Sequence, residues 1–374
     1  MSCALFSPIR MRGMTLANRI AIAPMDQFSA ADGLANDWHL MHYGQLAVSG
    51  TGLMIVEATA VEAEGRISPG CIGLYNDECE RTLGRVAAFC RDYGNVGLGI
   101  QLAHAGRKAS MPVPWRAGGG PVPADEGGWS TVGPSTVPFA DEGWPLPREL
   151  DADGLARIKE AFVQAAARAG RIGFELIELH AAHGYLMHQF LSPLSNRRTD
   201  QYGGSLENRM RFPLEIFAAV RDAWPDDKPV GVRVSASDWI DGGWNLDETI
   251  ALAQVLQEIG CDFIHVSSGG LSPEQKIPGG FGYQVGLGAK VKAATTMPVI
   301  TVGQINGARQ AETIVNSGQA DMVALGRGML FDPHWTWRAA IELGGEAAYP
   351  RPYERAQPTL RGFPVPGNPP PPRK

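Results

Sequence analysis

The 374-residue sequence lacks several features that would each mark a particular class of protein. No apolar run approaches the roughly 18 residues that a membrane-spanning helix needs, and the opening segment, MSCALFSPIR, has no long apolar stretch of the kind found in signal peptides. Charged residues are sparse, at 19%, and the formal net charge is −6, so no basic field would attract a phosphodiester backbone. We therefore expect a cytoplasmic protein that acts on a small molecule, with no nucleic-acid or membrane partner.

Cysteine is also scarce. The chain has five, without a CxxC pair, which is usual where thiols stay reduced, and we assign them no disulfide and no metal: Cys3, Cys71, Cys79, Cys90 and Cys261. Hydrophobic residues, by contrast, make up 44% and are spread along the chain, which is enough for a large core. The 46 glycines and 28 prolines imply many turns.

Short apolar or β-branched runs alternate with stretches of helical periodicity, which is the pattern of a parallel sheet with crossover helices. Eight runs are predicted to be strands: 19–24, 52–61, 96–104, 174–183, 229–237, 261–270, 297–303 and 320–328. The clearest helices are predicted over 151–170, 205–224, 246–259, 307–317 and 332–343. An open doubly wound sheet would call for an early GxGxxG, which is absent. The sequence therefore predicts an α/β fold, an eight-stranded parallel (β/α)8 TIM barrel.

The barrel is predicted to form one domain over residues 1–343. Its longest insertion, 105–150, is rich in Gly, Pro and Trp and follows the third strand, so we expect it on the rim where barrel enzymes carry their chemistry. Residues 344–374 are predicted to form a C-terminal extension. Its end, PVPGNPPPPRK, is typical of polyproline II or flexible chain.

Glycines follow the seventh and eighth strands. The segments TVGQING and ALGRG place Gly303 and Gly326 where backbone N–H groups and a helix N-terminus can hold a phosphate, and Arg327 adds a guanidinium. Tight turns without a ligand are the alternative interpretation.

Two polar residues are expected on opposite sides of the barrel mouth. Gln101 offers an amide and Arg233 a permanent cation, a pair that suits a planar heterocycle with imide-like edges. Alternatively, Arg233 pairs with a buried carboxylate such as Glu57 or Asp238.

The fourth strand ends in His180, His183 and Tyr185. Two imidazoles in one pocket can donate two N–H bonds to a single oxygen, as an oxyanion hole does, while a phenol delivers a proton. A metal site would need a third ligand close by, and satisfied core histidines are the other alternative.

The segment HAAHGYLMHQFLSPLSNRRTDQYGGSLENRMRF (180–212) resembles the signature of the Old Yellow Enzyme family of FMN-dependent ene-reductases. The segments NRIAIAPM, VEATAV, EGRISPG, GIQLAHAGRKAS, VRVSASD and ALGRGMLFDP match that family in order, so the resemblance covers roughly residues 4–343. HAGRKAS and EGRI are similar to the thermophilic-like (YqjM-like) class, which includes xenobiotic reductases.

This resemblance implies a barrel that binds FMN noncovalently, takes hydride from NADPH or NADH, and passes it to an activated alkene in a ping-pong cycle. His180 and His183 would bind the substrate's oxygen, and Tyr185 would protonate its α-carbon. The implied flavin contacts are Pro24, Met25, Asp26, Ala58, Gln101, Arg233, Gly303, Gly326 and Arg327. The implied substrate contacts are Phe28, His180, His183, Tyr185 and Arg355.

The sequence departs from the family pattern at two positions. Asp26 stands where this class usually has Cys, and Phe28 where it commonly has Tyr. An ionised Asp26 beside the flavin would disfavour the reduced form, whereas a protonated one would donate a hydrogen bond, and our hypothesis is that Asp26 makes the flavin harder to reduce. Arg355 lies in a Tyr-Glu-Arg segment that completes the neighbouring subunit's site in this class, which implies a homodimer or homotetramer.

Other functions remain open at this point. The altered residues could direct the same scaffold toward nitro or nitrate-ester reduction, desaturation or C=C isomerisation. A flavin-free lyase or aldolase that binds a phosphorylated substrate is a further alternative, against which no lysine ends a predicted strand to form a Schiff base.

Overall fold

The structure, a computed structural model, describes residues 3–116, 120–140 and 143–357. Its strands are β1 (Ile9–Met11), β2 (Met14–Leu16), β3 (Ile20–Ile22), β4 (Leu53–Ala60), β5 (Gly97–Ala103), β6 (Val132–Gly133), β7 (Arg148–Glu149), β8 (Leu176–Ala181), β9 (Val230–Ser235), β10 (Phe263–Ser267), β11 (Val299–Thr301) and β12 (Met322–Leu325). Its helices are α1 (Asp37–Ala47), α2 (Asp77–Tyr93), α3 (Ala152–Arg171), α4 (Leu186–Leu191), α5 (Leu206–Ala223), α6 (Leu246–Glu258), α7 (Val285–Ala294), α8 (Ala308–Asn316), α9 (Arg327–Phe331) and α10 (Trp335–Leu343).

Eight parallel strands close into a barrel in the order β3-β4-β5-β8-β9-β10-β11-β12, and β12 pairs with β3. The predicted fold class is confirmed, and each barrel strand lies within a predicted strand. The eighth strand ends earlier than predicted, at Leu325, because residues from Arg327 onward form α9. The chain therefore turns into a helix directly at the predicted phosphate position.

Barrel strands are apolar throughout because both of their faces are buried. Ile20 and Ile22 belong to the large core between the sheet and the helices, whereas Ala21 lies in a separate cluster inside the barrel. The hairpin β1–β2, which the sequence analysis did not predict, adds Ile9 and Met11 to that interior cluster. The hairpin packs on residues at the N-terminal ends of the barrel strands, so the C-terminal end of the barrel remains open to a ligand.

Polar caps fix where the helices begin. In five helices the residue before the first turn accepts a hydrogen bond from a backbone N–H that has no partner within the helix. These capping residues are Asn36, Asn76, Asp151, Ser205 and Asn245. Each cap also fixes the end of the preceding loop.

The rim insertion lies between β5 and α3, at the C-terminal end of the barrel. It has little regular structure, and its strands β6 and β7 form a short parallel pair. The ring of Trp337 in α10 stacks on Tyr349, which follows the helix, at a centroid distance of 4.5 Å. Residues 358–374, which include the predicted flexible end, lie outside the described residues. Within the described ranges, no helix combines the length and the apolar character needed to cross a membrane.

Candidate active site

A cleft of about 1040 Å³ opens at the C-terminal ends of the barrel strands. This is where the chemistry of TIM-barrel enzymes is located. Six of the predicted flavin contacts line it: Pro24, Met25, Arg233, Gly303, Gly326 and Arg327. The barrel therefore brings together residues as far apart in the sequence as Pro24 and Arg327.

One end of the cleft has the features of an anion site. Gly303 adopts a φ of +121°, and a Cβ there would lie 2.7 Å from Nε2 of Gln284, so only glycine fits. Arg327 begins α9 and is exposed. No carboxylate of the described chain lies within 4.0 Å of its guanidinium. Its charge is thus available to a ligand in the cleft.

A buried charge network surrounds Arg233, which lines the cleft. Glu178 accepts hydrogen bonds from Nε2 of Gln101 at 2.7 Å and from Nδ1 of His265 at 2.8 Å. Burial opposes its ionisation, but these contacts and the nearby Arg233 hold the pKa of Glu178 below its usual value. Arg233 is itself buried, lines the cleft, and has no hydrogen-bond partner for Nε.

Two expectations about these residues were wrong. Gln101 and Arg233 are not on opposite sides of the mouth, because β8 alone separates their strands in the barrel. The proposed partners of Arg233 are also engaged elsewhere: Asp238 pairs with His188 at 2.9 Å, and Glu57 accepts from Tyr43 at 2.8 Å. No described carboxylate forms an ion pair with Arg233.

Asp26, which is half-buried, and the fully buried Glu57 form a second acidic region. Burial raises the pKa of Asp26 to about 7, against the opposing attraction of Arg233, and its Oδ1 is buried without a partner. Burial, with the nearby Asp26, raises the pKa of Glu57 to about 8. Glu57 lies at an irregularity in the β4–β5 pairing, and it accepts a hydrogen bond from the backbone N–H of Gln27 at 3.0 Å. Burial thus favours the protonated form of both carboxyl groups.

The predicted catalytic residues lie together at the end of β8. Nε2 of His180 is 3.4 Å from Nδ1 of His183, and the rings of His180 and Tyr185 meet edge to face at 4.9 Å. Burial, followed by the charge of Arg233, lowers the pKa of both histidines well below the usual value, so they are neutral. Burial raises the pKa of Tyr185, which keeps its phenolic proton. The described residues contain no group of three metal-ligating side chains.

A tight turn after β8 holds His183 in place. His183 has a φ of +57°, which is unusual for a residue other than glycine, and its backbone N–H donates to Oγ of Ser235 at 2.9 Å. A Cβ on Gly184 would lie 2.2 Å from the carbonyl oxygen of Gly270, so the two backbones approach closely. The buried Nζ of Lys108 donates to the carbonyls of His183 and Gly270 at 2.7 and 2.8 Å. Lys108 thus ties the two loops together.

The remaining predicted residues lie in three different settings. Ala58 is buried and pairs with Gln101 across β4 and β5. Phe28 packs against the cluster that contains Ala58, and its ring meets Trp115 of the rim insertion at 6.3 Å. Arg355 is exposed on the turn Arg351–Ala356 and does not line this chain's own cleft.

Four further residues of the site were assigned no role from the sequence: Lys108, Glu178, Ser267 and Gln284. Glu178 precedes His180 by two positions, so strand alternation places both on one face and could have identified it. Ser267 ends β10, where polar side chains face the barrel mouth, but hydroxyls at strand ends are too common to indicate a site by themselves. Lys108 and Gln284 come from loops that cross the mouth, and no periodicity in the sequence indicates their positions.

The cleft fits a planar heterocycle joined to a phosphate. Nε of Arg233, which is buried without a partner, lines the cleft together with the glycine turn and Arg327. Oδ1 of Asp26 is a further buried atom without a partner, on the residue that follows Met25 of the lining. Buried polar atoms are normally paired, so such atoms beside a cleft indicate a ligand with complementary groups. FMN has both parts, and the residues present fit it.

Comparisons with known proteins agree with this interpretation. The model of the NADH:flavin oxidoreductase / NADH oxidase family matches residues 4–345. An NADPH dehydrogenase of Bacillus subtilis (strain 168) is 42% identical over 359 residues, which is 95% of this chain and 99% of that protein. The NADH:flavin oxidoreductase FG08077 of Gibberella zeae is 43% identical over 361 residues, 92% of this chain and 87% of its own.

A solved structure agrees as well. Morphinone reductase superposes with a TM-score of 0.76 at 28% identity, over 96% of this chain and 93% of its own.

Proposed function

The chain belongs to the NADH:flavin oxidoreductase / NADH oxidase family, the Old Yellow Enzyme family, and we propose that it is an ene-reductase that saturates the C=C bond of α,β-unsaturated carbonyl compounds. It is an FMN-dependent oxidoreductase with NADH or NADPH as reductant. The proposal assigns FMN binding to one domain over residues 1–343. Pro24, Met25 and Ala58 would line the flavin, Gln101 and Arg233 would bond its heterocycle, and the phosphate would bind at Gly303, Gly326 and Arg327.

The observation that carries the proposal is the pair of neutral imidazoles at the end of β8. Nε2 of His180 and Nδ1 of His183 lie 3.4 Å apart in a contact in which one nitrogen donates and the other accepts, and a substrate oxygen that replaced this contact would accept N–H hydrogen bonds from the two rings. Such donors withdraw electron density from the conjugated system and make the β-carbon electrophilic. FMN, when bound, accepts hydride from the nicotinamide and supplies it to that carbon.

Tyr185 completes the reaction. Hydride addition at the β-carbon leaves negative charge on the oxygen and α-carbon, and the phenol of Tyr185 donates its proton to the α-carbon. The phenolate then regains a proton from solvent, so the net reaction consumes one alkene, one NAD(P)H and one proton. Because burial disfavours the phenolate, Tyr185 holds its proton until the substrate needs it.

The test is product analysis with 2-cyclohexenone and NADPH or NADH under nitrogen. We expect cyclohexanone to form in a 1:1 ratio to the nicotinamide oxidised. A matched incubation with a nitroalkane or a nitrate ester tests nitro-group chemistry instead. Consumption of the nitro compound with no cyclohexanone would refute the ene-reductase proposal and keep the family.

We further propose that Arg355 reaches the substrate pocket of a neighbouring copy in a homodimer or homotetramer. Its exposure and its absence from this chain's own cleft support the proposal. The test mixes two inactive variants, Tyr185→Phe and Arg355→Ala, after dissociation. Recovered activity is expected, because one site of the mixed dimer then has both residues, and no recovery would contradict the proposal.

A further inference from the structure

Lys108 is a cation beside the site that the proposed mechanism does not use. It ends the short helical turn Gly106–Lys108, which follows β5 at the start of the rim insertion. Its Nζ donates to the carbonyl oxygen of His183 at 2.7 Å and to that of Gly270 at 2.8 Å. Lys108 does not line the cleft that we assign to FMN. Its charge is therefore available to a different ligand.

The surroundings of Nζ favour the charged form of Lys108. An ammonium group has three hydrogens, and the two carbonyl oxygens receive two of them. Nζ also lies over two aromatic rings, at 4.7 Å from the ring centroid of Phe139 and 5.0 Å from that of Tyr185. The face of an aromatic ring is negative, so it attracts a cation and would repel the lone pair of a neutral amine. The geometry thus fits an ammonium group.

No anion of the described chain pairs with this charge. No described carboxylate lies within 4.0 Å of Lys108 or of Arg107, the buried cation that precedes it. The guanidinium of Arg107 donates instead to backbone carbonyls, those of Val137, Pro138 and Leu271. Burial, followed by the charge of Arg107, lowers the pKa of Lys108 to about 7. A cation held away from water without a partner is costly, so an anion bound nearby would be stabilised and would keep Lys108 protonated.

The charge of Lys108 acts on the residues that would hold the substrate. Burial and then Arg233 are the largest causes of the low pKa of His180 and His183, and Lys108 lowers the pKa of both further. A cation that opposes positive charge on these rings favours negative charge on an oxygen bound to them. The proposed reaction creates such a charge, because hydride addition at the β-carbon leaves an enolate until Tyr185 donates its proton.

We propose that Lys108 supplies the positive charge that stabilises this enolate, from its place against the turn of His183 and over the ring of Tyr185. Lys108 is also a positioning residue, because it ties the carbonyls of two loops together. The proposal rests on the proposed function for the identity of the anion. It predicts that the pocket prefers an anionic cyclic ketone to a neutral one of the same size.

The test is a binding titration of the oxidised FMN holoenzyme at pH 6.5, below the pKa of Lys108, followed by the visible spectrum of the flavin. The anionic probe is 1,3-cyclohexanedione, which is an enolate at this pH, and the neutral probe of the same ring size is cyclohexanone. Lys108→Gln keeps N–H donors for the two carbonyls without the charge, and Lys108→Met keeps the length of the side chain. We expect each variant to bind the enolate about tenfold more weakly and cyclohexanone within about twofold of wild type.

Lys228→Met is the matched control. Nζ of Lys228 also donates to a backbone carbonyl, that of Phe174 at 2.8 Å, and lies over the ring of Trp224 at 5.1 Å, but Lys228 precedes β9 at the opposite end of the barrel. We expect this variant to leave both affinities unchanged. Equal weakening of both probes by the Lys108 variants would overturn the proposal and leave Lys108 as a structural tie alone. An unchanged enolate affinity would overturn it as well.

Kinetics give a second readout. We expect Lys108→Gln to slow reoxidation of the reduced flavin by 2-cyclohexenone about tenfold and to leave reduction by NADPH near the wild-type rate, because the enolate forms only during reoxidation. Equal slowing of both half-reactions would contradict the proposal. Because the titration needs no turnover, failure of the ene-reductase proposal would be recognised separately, by the absence of cyclohexanone among the products of 2-cyclohexenone.

Discussion

Glu178 and Gln101 form a hydrogen bond of 2.7 Å between neighbouring strands beneath the cleft. Nε2 of Gln101 is the donor, so its amide oxygen remains available to a ligand. Glu178 is also the buried carboxylate that lies near the unpaired guanidinium of Arg233. Glu178 thus fixes the orientation of the Gln101 amide and offsets the buried positive charge of Arg233.

Replacement of this carboxylate is expected to weaken both functions. Glu178→Gln keeps the size of the side chain but removes the buried negative charge that acts on Arg233 and that accepts from Gln101 and His265, and a hydrogen bond to a charged group contributes about 1.5–3 kcal/mol. We expect a lower midpoint of urea unfolding and a lower FMN content. Glu175→Gln, a change on the same segment outside the cleft, is the control. Unchanged stability and FMN content would show that Arg233 does not depend on Glu178.

Asp26 is expected to affect the flavin potential in a pH-dependent way. Its pKa of about 7 means that it is neutral below and ionised above that pH. A negative charge disfavours added electrons, so we expect Asp26→Cys to raise the midpoint potential by about 30 mV, a tenfold change in a two-electron equilibrium. The difference is expected to be large at pH 8.5 and small at pH 5.5. Spectroelectrochemistry that gives an unchanged or lower potential for Asp26→Cys at pH 8.5 would refute the hypothesis.

Arg327 is expected to recognise the phosphate rather than the ring system. Arg327→Ala should weaken FMN binding by about 2 kcal/mol, roughly thirtyfold, because it removes a charged donor. Riboflavin, which has no phosphate, should bind wild type and variant equally. Titrations followed by flavin fluorescence compare the two ligands. An equal loss of riboflavin affinity would show that Arg327→Ala disturbs the whole cleft rather than the phosphate site.

Tyr185 is expected to act after hydride transfer has begun. Tyr185→Phe removes the proton donor while the ring still packs against His180, and general-acid catalysis is worth roughly 10²–10⁴-fold. We expect stopped-flow measurements to show reduction of the flavin by NADPH near the wild-type rate and reoxidation by 2-cyclohexenone slowed by at least about a hundredfold. Equal slowing of both half-reactions would indicate a role in binding instead.

The barrel could be predicted from sequence because its strands are buried on both faces and appear as continuous apolar runs, such as 53–60 in β4. Helix α1 was not among the clearest predicted helices because its buried face contains His39 and His42, so no apolar stripe marks it. Helix α2 is amphipathic and could have been predicted. The candidate site was predicted where polar residues end strands, as at His180.

Contacts between distant residues could not be predicted. The contact between Ser267 and His183 joins residues 84 positions apart, and His183 lies on a left-handed turn that packs closely against Gly270. Similarly, Gln101 lies two strands from Arg233 because of the order of the strands in the closed barrel. Prediction of the strands alone did not give the distance between these two residues.

The most direct test of the ene-reductase cycle is the visible spectrum of the purified protein without oxygen, recorded before and after NADPH or NADH and again after 2-cyclohexenone. We expect the bands of oxidised flavin to be present, to bleach with the nicotinamide and to return with the enone. A bound flavin that bleaches and is not reoxidised by the enone would contradict the proposed activity, and a protein that neither contains nor binds flavin would contradict the assignment of the cleft.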